Sequence, residues 1–456
     1  MAARIQIFTG SALSDRAEQI DAFLLRSPPG ARLLVPTHDH ARQRMHEMVR
    51  RKLVGGILGR PVQTFQDFVE DLLRGTGFER ERVDEGAQRL LLERIVADMS
   101  RNGELDSLGP AAQTPGFISH LHRTIAQLKQ TAVDPQQFAR ITTTAGRKSE
   151  TDRVVARAYA AYQDALKDAD VYDVQGMYWM ADIACRDSLP GALAHLSVLV
   201  LDGFDDFTES EFRLVKTIAQ HIDRVVFGLA VDLDRSPEDQ GRLVRKTFSL
   251  IERSFEFADL DPAEGREPVS QIEHASLHLF GRTEQFPPET LEQNIRLIEC
   301  YNPRHEAETI ASEIKRAVRE RGARLDQIAV VHADAPSVSD HYRSVFRQYG
   351  VPCSMRGGSS LDACGLGAFV RTLLRAIESW AREDVVQVIT SPFTGADPAN
   401  AYEAITRAAG ITRGRDQWRD RIGRLAAASA TSDSSYEGPL DHVPAIGDHY
   451  PGLLET

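Results

Sequence analysis

The stretch VLVLDGFDDFTESE, residues 198–211, decides how the rest of the chain is read. Four apolar residues run into Asp202, and Asp205 and Asp206 follow after Gly203 and Phe204. An uninterrupted apolar run marks a strand buried on both faces of a parallel sheet, and such sheets bind ligands beyond the carboxyl ends of their strands. Asp202 thus stands where a carboxylate would hold Mg²⁺ beside a nucleotide. Orienting an attacking water would take a second carboxylate directly after it, and that position holds Gly203.

Other strands of the same kind lie to either side. Residues 4–8 read as a short strand, then a Thr-Gly-Ser loop and a helix from Ser14 to Leu25. Ala31–Pro36 is a second strand leading into an arginine-rich helix over Asp39–Leu53, and Val62–Phe65 a third, leading into a helix over Asp67–Leu73. Leu196–Leu201 and Arg224–Ala230 continue the series. Strands alternating with helices at this spacing predict an α/β fold with a parallel sheet. Between residues 80 and 194, runs such as GAQRLLLERIVADMS and ETDRVVARAYAAYQDALKDA have apolar residues at helical spacing, which predicts an all-helical insertion. Residues 1–290 form one domain on this reading, with 235–293 polar and mostly helical. A second, incomplete α/β domain spans 291–425, with strands at Ile295–Cys300, Ile328–His332 and Val351–Met355 and helices at His305–Arg321 and Val338–Tyr349. Residues 426–456 have the composition of a loop or disordered end.

Bulk properties narrow the class. Hydrophobic residues make up 42% and charged residues 26%, ordinary for a globular protein. No apolar run is long enough to span a membrane and the N-terminus lacks a signal-peptide core, so a cytoplasmic location is expected. The four cysteines (Cys185, Cys300, Cys353, Cys364) are far apart, which argues against a disulfide framework or zinc ribbon. His38, Asp39, His40 and His46 do not form a compact ligand set, so no metal site is expected. A net charge of −12 argues against an indiscriminate nucleic-acid coat but leaves room for a local basic groove.

The order of these pieces resembles a superfamily-1 helicase of the UvrD/Rep type, whose fold is a pair of P-loop, RecA-like parallel sheets. TGSALSDRA (9–17) stands where a phosphate-binding loop G-x-x-x-x-G-K-[ST] belongs. Gly10 matches, but Asp15, Arg16 and Ala17 replace the glycine, the lysine and the Mg²⁺-binding hydroxyl. LLVPTHDHARQRMHEMVRR (33–51) is similar to a helicase segment that touches single-stranded DNA, which implies contacts from Thr37, His38, Arg42 and Arg44. PVQTFQDFVEDLLR (61–74) is similar to the "GTFHS" element, implying Thr64, Phe65 and Gln66, with the aromatic able to stack on a base. DADVYDVQGMYWMA (168–181) resembles the segment before the acidic strand. LVLDGFDD falls where these helicases carry "LVDEFQD": Asp202 and Asp206 match, and Gly203 and Asp205 do not. Residues 327–361 resemble the later "iAVLyRsn" segment, with Ala333 in place of the arginine that would reach the γ-phosphate.

A retained scaffold with a degenerate nucleotide site resembles the B subunit of AddAB/RexAB-type helicase–nucleases, as do YNPRHEAE and SWAREDVVQVITSPF (379–393). The resemblance implies a DNA-binding module, inactive as an ATPase, acting in double-strand break processing and recombinational repair. Its implied partners are an AddA-type motor subunit and single-stranded DNA or DNA ends. The alternatives are an active ATP-dependent helicase with an unusual site, the one case needing ATP and Mg²⁺, or a purely structural subunit. The family's nuclease motif and cysteine-bound iron–sulfur cluster have no counterpart here, with no cysteine after Cys364, so no cofactor is expected. The chain is expected to be an N-terminal fragment or truncated product.

Overall fold

The structure is a computed structural model. It describes residues 3–11, 13–28, 30–56, 59–144, 149–233, 242–255, 258–265, 270, 272–273, 295–355, 361, 364–395 and 399–431. The chain divides into two compact units, Met1–Arg296 and Leu297–Thr456.

The first unit opens with β1 (Arg4–Thr9), α1 (Arg16–Arg26), β2 (Arg32–Val35), α2 (His38–Arg50), β3 (Val62–Thr64) and α3 (Phe65–Leu73). A helical stretch follows: β4 (Glu81–Arg82), α4 (Glu85–Arg101), α5 (Pro115–Gln130), α6 (Pro135–Thr144), α7 (Glu150–Asp168), β5 (Val171–Tyr172) and α8 (Val174–Ala184). The sheet resumes with β6 (Val198–Asp202), α9 (Glu209–Ile218), β7 (Arg224–Leu229), α10 (Arg242–Ser254) and β8 (Ala258–Pro262). Six strands pair in the order β3-β2-β6-β7-β1-β8, every pairing parallel.

Alternation along the strands explains why helices cover both faces. Ile5, Ile7, Leu34, Leu199, Leu201, Val225 and Phe227 point into one core with side chains of α3, α8, α9 and α10. Phe8, Leu33, Val35, Val62, Val198, Val200 and Val226 point into another, closed by Ile20 of α1 and Ala41 and Met48 of α2. All five residues of β6 are buried, as its apolar run requires. Helices α4, α5 and α7 enclose a separate core around Tyr159 and Tyr162.

Two features of this unit depart from expectation. Within 235–293, read as mostly helical, β8 (ADLDP) adds an edge strand beside β1. Its acidic residues suit an edge: Arg4 Nε lies 2.6 Å from Asp259, and the Gln6 amide donates to Asp261. The helical stretch contains a short two-strand pairing, Glu81 with Val171 and Arg82 with Tyr172. Helix α10 agrees with the helical reading over Arg242–Ser254, and most of the remaining residues up to 293 lie outside the described residues.

The second unit holds α11 (Pro303–Arg321), α12 (Ala335–Tyr349), α13 (Gly365–Ser379), α14 (Arg382–Ile389), α15 (Ala399–Ala408) and α16 (Arg415–Thr431). Helices α11 and α12 pack around Ala311, Tyr342 and Phe346. The expected strands at 295–300, 328–332 and 351–355 join no ladder among the described residues. Leu297, Ile298 and Val331 are exposed there, so the apolar pattern that suggested strands has no facing sheet neighbour to complete them. Helix α16 also carries ordered structure past residue 426, and 432–456 lie outside the described residues.

Burial also sorts the cysteines. Cys185 is fully buried, and burial pushes its thiol up to about 12, while Cys353 and Cys364 are exposed. Native alkylation near pH 8, followed by peptide mass spectrometry, is expected to modify Cys353 and Cys364 and to spare Cys185 until denaturant is added. Equal labelling of Cys185 in the native protein would contradict this packing.

Candidate functional site at the sheet edge

The carboxyl ends of β1, β2, β3 and β6 deliver the loop after Thr9, the Thr37–His38 corner, Thr64–Phe65 and Asp202–Phe204 to one edge of the sheet. At its centre Asp202, 4% exposed, accepts from the guanidinium of Arg16 at 2.5 Å and faces that of Arg44 at 3.2 Å. Arg44 in turn holds Asp21 at 2.7 Å and donates to the carbonyl of Ala17 at 2.8 Å. Burial pushes the Asp21 carboxyl above its ordinary range, with Arg44 pulling it back. Two arginines and two aspartates thus neutralise one another in a nearly dry site, and α1, α2 and β6 are tied together by them.

Backbone geometry leaves this array little room. Gly228 of β7 lies beneath it, and a Cβ there would collide with the Asp202 carboxylate and Ile20. On the adjoining loop, the Ser14 side chain packs against Gly10 and donates to Ser11 O at 2.8 Å, and Ser14 bridges to Gly265. Asp15 is exposed and accepts from Gln19 at 2.9 Å. The strand–loop–helix corner is therefore folded against the chain leaving β8 rather than opened around an anion. Arg16 pairs with the carboxylate at the end of β6.

Gly203 has φ +81°, a conformation that favours glycine, and its backbone lies near His40. Asp206 is exposed and accepts from Phe207 N at 3.0 Å, so it does not face Asp202 as a second metal ligand would. Ala333 is an exposed residue of the second unit.

The residues singled out for DNA contact divide by exposure. Thr37 and Thr64 cap α2 and α3, accepting from His40 N and Asp67 N at 3.1 Å each. His38 is 75% exposed and lies 3.2 Å from Asp67, and Gln66 reaches Glu70 at 3.0 Å. Arg42 is exposed and pairs with Asp39. Two residues are turned inward. Arg44 is 12% exposed and turned into the Asp202 array, because α1 packs beside α2 and supplies Asp21 on its inner face. Phe65 is 4% exposed, with Tyr178 and Phe204 rings at 5.5 and 6.3 Å, so its faces serve the core rather than a base. The half-buried Phe204, stacked on Phe207 at 5.2 Å, is the aromatic that the same edge carries nearer to solvent. Its place after a glycine turn is the one signal of it that the sequence carries.

The basic character of α2 is largely neutralised by its neighbours. Arg50 pairs with Glu47 at 2.5 Å, and Arg51 with Glu18 at 2.9 Å. Hydrogen bonds from Arg51 and Arg50 hold Glu18 and Glu47 below the usual carboxylate range. Among the described residues no group of three or more His, Cys, Asp or Glu is placed to hold a metal ion. No helix among them is long and apolar enough to cross a membrane.

Comparison with known proteins reaches the elements that carry this edge. The family model described as "ADDB, N-terminal" matches residues 15–256, from the loop before α1 through β6 and β7 to the end of α10. The chain is similar to the B subunit of the ATP-dependent helicase/deoxyribonuclease of Bacillus pumilus, 24% identical over 85% of this chain and 35% of that protein. The corresponding protein of Bacillus subtilis is 23% identical over 80% and 33%, and that of Moorella thermoacetica 26% over 88% and 36%. The chain thus spans about a third of the length of these relatives. With just over half of its 456 residues matched by the family model, this chain belongs to the AddB N-terminal family.

Proposed function

We propose that this chain is the helicase-like, DNA-binding part of an AddAB/RexAB-type helicase–nuclease, and that it binds single-stranded DNA or DNA ends without turning over ATP. Its six-stranded sheet is read as RecA-like, and its working context as double-strand break processing in recombinational repair, with an AddA-type motor as partner. The observation that carries the reading is the buried array of Arg16, Asp202, Arg44 and Asp21 at the edge where a nucleotide would bind. A cation supplied by the protein fills the role of Mg²⁺, and no glutamate follows Asp202. Strand contacts fall to His38, Arg42, Gln66 and the capped corners at Thr37 and Thr64, which border the same edge.

Fluorescence anisotropy with a labelled oligo-dT, alongside an ATPase assay with and without that oligonucleotide, tests the proposal. Binding that weakens as salt rises, with no DNA-stimulated ATP hydrolysis, is expected. Substituting Arg42→Ala is expected to weaken binding by a few-fold, the scale of one exposed phosphate contact. DNA-stimulated hydrolysis would overturn the inactive reading, and absence of oligonucleotide binding at low salt would overturn the DNA-binding one.

A further inference from the structure

Lys129, in the last turn of α5, is fully buried and belongs to no part of the site described above. Its ammonium lies 2.8 Å from both oxygens of Asp173 and 3.0 Å from Gln163, above the rings of Tyr162 and Trp179 at 5.7 and 5.2 Å. Asp173 also accepts from Tyr162 Oη at 3.0 Å and, as N-cap of α8, from Gly176 N at 2.7 Å. The main chain of the same lysine makes a second connection. Ser210, in the first turn of α9 and 1% exposed, donates to the Lys129 carbonyl at 2.8 Å and accepts from Trp179 Nε1 at 3.1 Å.

Ser210 lies just beyond the loop that leaves β6. That loop turns at Gly203, brings the half-buried Phe204 to the sheet edge, buries Phe207 and enters α9 through the Thr208–Glu211 capping box. The loop is also anchored at the Asp205 carbonyl, which accepts from Thr247 at 2.8 Å, and at Gly203 N, which donates to the Gly228 carbonyl at 3.4 Å. The far end of α9 is clasped separately, by Thr217 donating to Asp182 at 2.7 Å. The far end of the helix is therefore fixed to α8, and the loop end both to α8, through Trp179, and to α5, through the Lys129 carbonyl.

We propose that Ser210 is a positioning residue for strand binding: held by the Lys129 carbonyl of α5 and the Trp179 indole of α8, it sets the Gly203–Thr208 loop, and so Phe204, relative to those helices. This rests on the reading of the sheet edge as a DNA-binding surface. The clean perturbation is Ser210→Ala, which releases the loop end of α9 while leaving the Lys129–Asp173 pair and the Thr217 clasp in place. Trp179→Phe is a second variant, removing a donor to Ser210 but keeping a ring over the lysine.

The measurements are hydrogen exchange by mass spectrometry, thermal unfolding and oligo-dT anisotropy, all on the full chain. In Ser210→Ala, faster amide exchange confined to residues 203–210 is expected, with an oligo-dT Kd raised on the order of tenfold, the scale of one buried hydrogen bond. The unfolding midpoint is expected to fall by a few degrees, because Trp179 Nε1 loses its buried acceptor. Trp179→Phe should change exchange and Kd in the same direction, by less. Unchanged exchange at 203–210 in both variants overturns the proposal, as does an affinity loss matched by faster exchange across all of α4–α9. If the unsubstituted chain fails to bind oligo-dT, the DNA-binding reading falls, and exchange at 203–210 still decides whether Ser210 sets the loop.

Discussion

Asp202→Ala is expected to lower the thermal unfolding midpoint of the first unit by on the order of 10 °C. The side chains of Asp202, Arg44 and Arg16 are 5%, 12% and 16% exposed, and the carboxylate is the counter-ion for both guanidinium groups. Its loss leaves Arg16 without a counter-ion where water cannot reach it well and Arg44 with Asp21 alone, and removing one partner of a buried pair costs about 3–5 kcal/mol. At roughly 2–4 °C per kcal/mol for a domain of this size, the midpoint shift follows. A carboxylate kept to hold Mg²⁺ behaves in the opposite way, since its removal relieves repulsion and leaves stability level or higher. Asp206→Ala, at an exposed position, is the control and should stay within about 0.5 kcal/mol of the unsubstituted chain. Calorimetry decides between the roles: an Asp202→Ala protein that melts like the parent is inconsistent with a structural array.

Asp173→Leu should be costlier still, at about 4–6 kcal/mol, because three losses coincide. Lys129 keeps its charge without a counter-ion, Tyr162 loses its acceptor, and α8 loses its N-cap. Burial already pushes the Lys129 ammonium below the ordinary lysine value, with Asp173 opposing that shift. The double variant Asp173→Leu/Lys129→Met removes both charges and should recover much of the loss, since an apolar pair of similar volume needs no desolvation. Denaturant titration of the single and double variants measures this. A double variant no more stable than Asp173→Leu would mean that the charge on Lys129 is not what makes the single change costly.

Much of the sheet is legible in the sequence because β2, β6 and β7 are apolar runs that could be nothing but buried. Edge strand β8 is not, since ADLDP has no strand pattern of its own and is held by Arg4, Gln6 and the backbone of β1. The reverse failure occurs at 295–300 and 328–332, where strand-like composition has no ladder around it. At the site, the departure of Asp15, Arg16 and Ala17 from the phosphate-loop pattern that the resemblance implies can be read in the sequence. The arrangement that those residues adopt cannot. That Arg44 turns inward while Arg42 faces solvent depends on α1 lying alongside α2 with Asp21 between them, a tertiary fact that helical spacing does not contain. The burial of Phe65 escapes the sequence for a related reason: the rings that cover it come from α8 and from the loop after β6, more than a hundred residues away along the chain.

The place of β1 in the sheet bears on how the chain folds. Strand β1 precedes both of its sheet partners by more than two hundred residues, pairing Arg4 with Arg224 and Ile5 with Ala258. Its neighbours thus emerge only after the whole of α4–α9, and closing so large a loop is slow because its entropy is lost before any ladder bond is gained. Helices α4, α5 and α7, with a core of their own, can consolidate in that interval. Until β7 and β8 arrive, the apolar residues Ile5, Ile7 and Phe8 stay uncovered, and a polypeptide cut short of Pro262 would keep an open edge beside them, ready to pair with another chain.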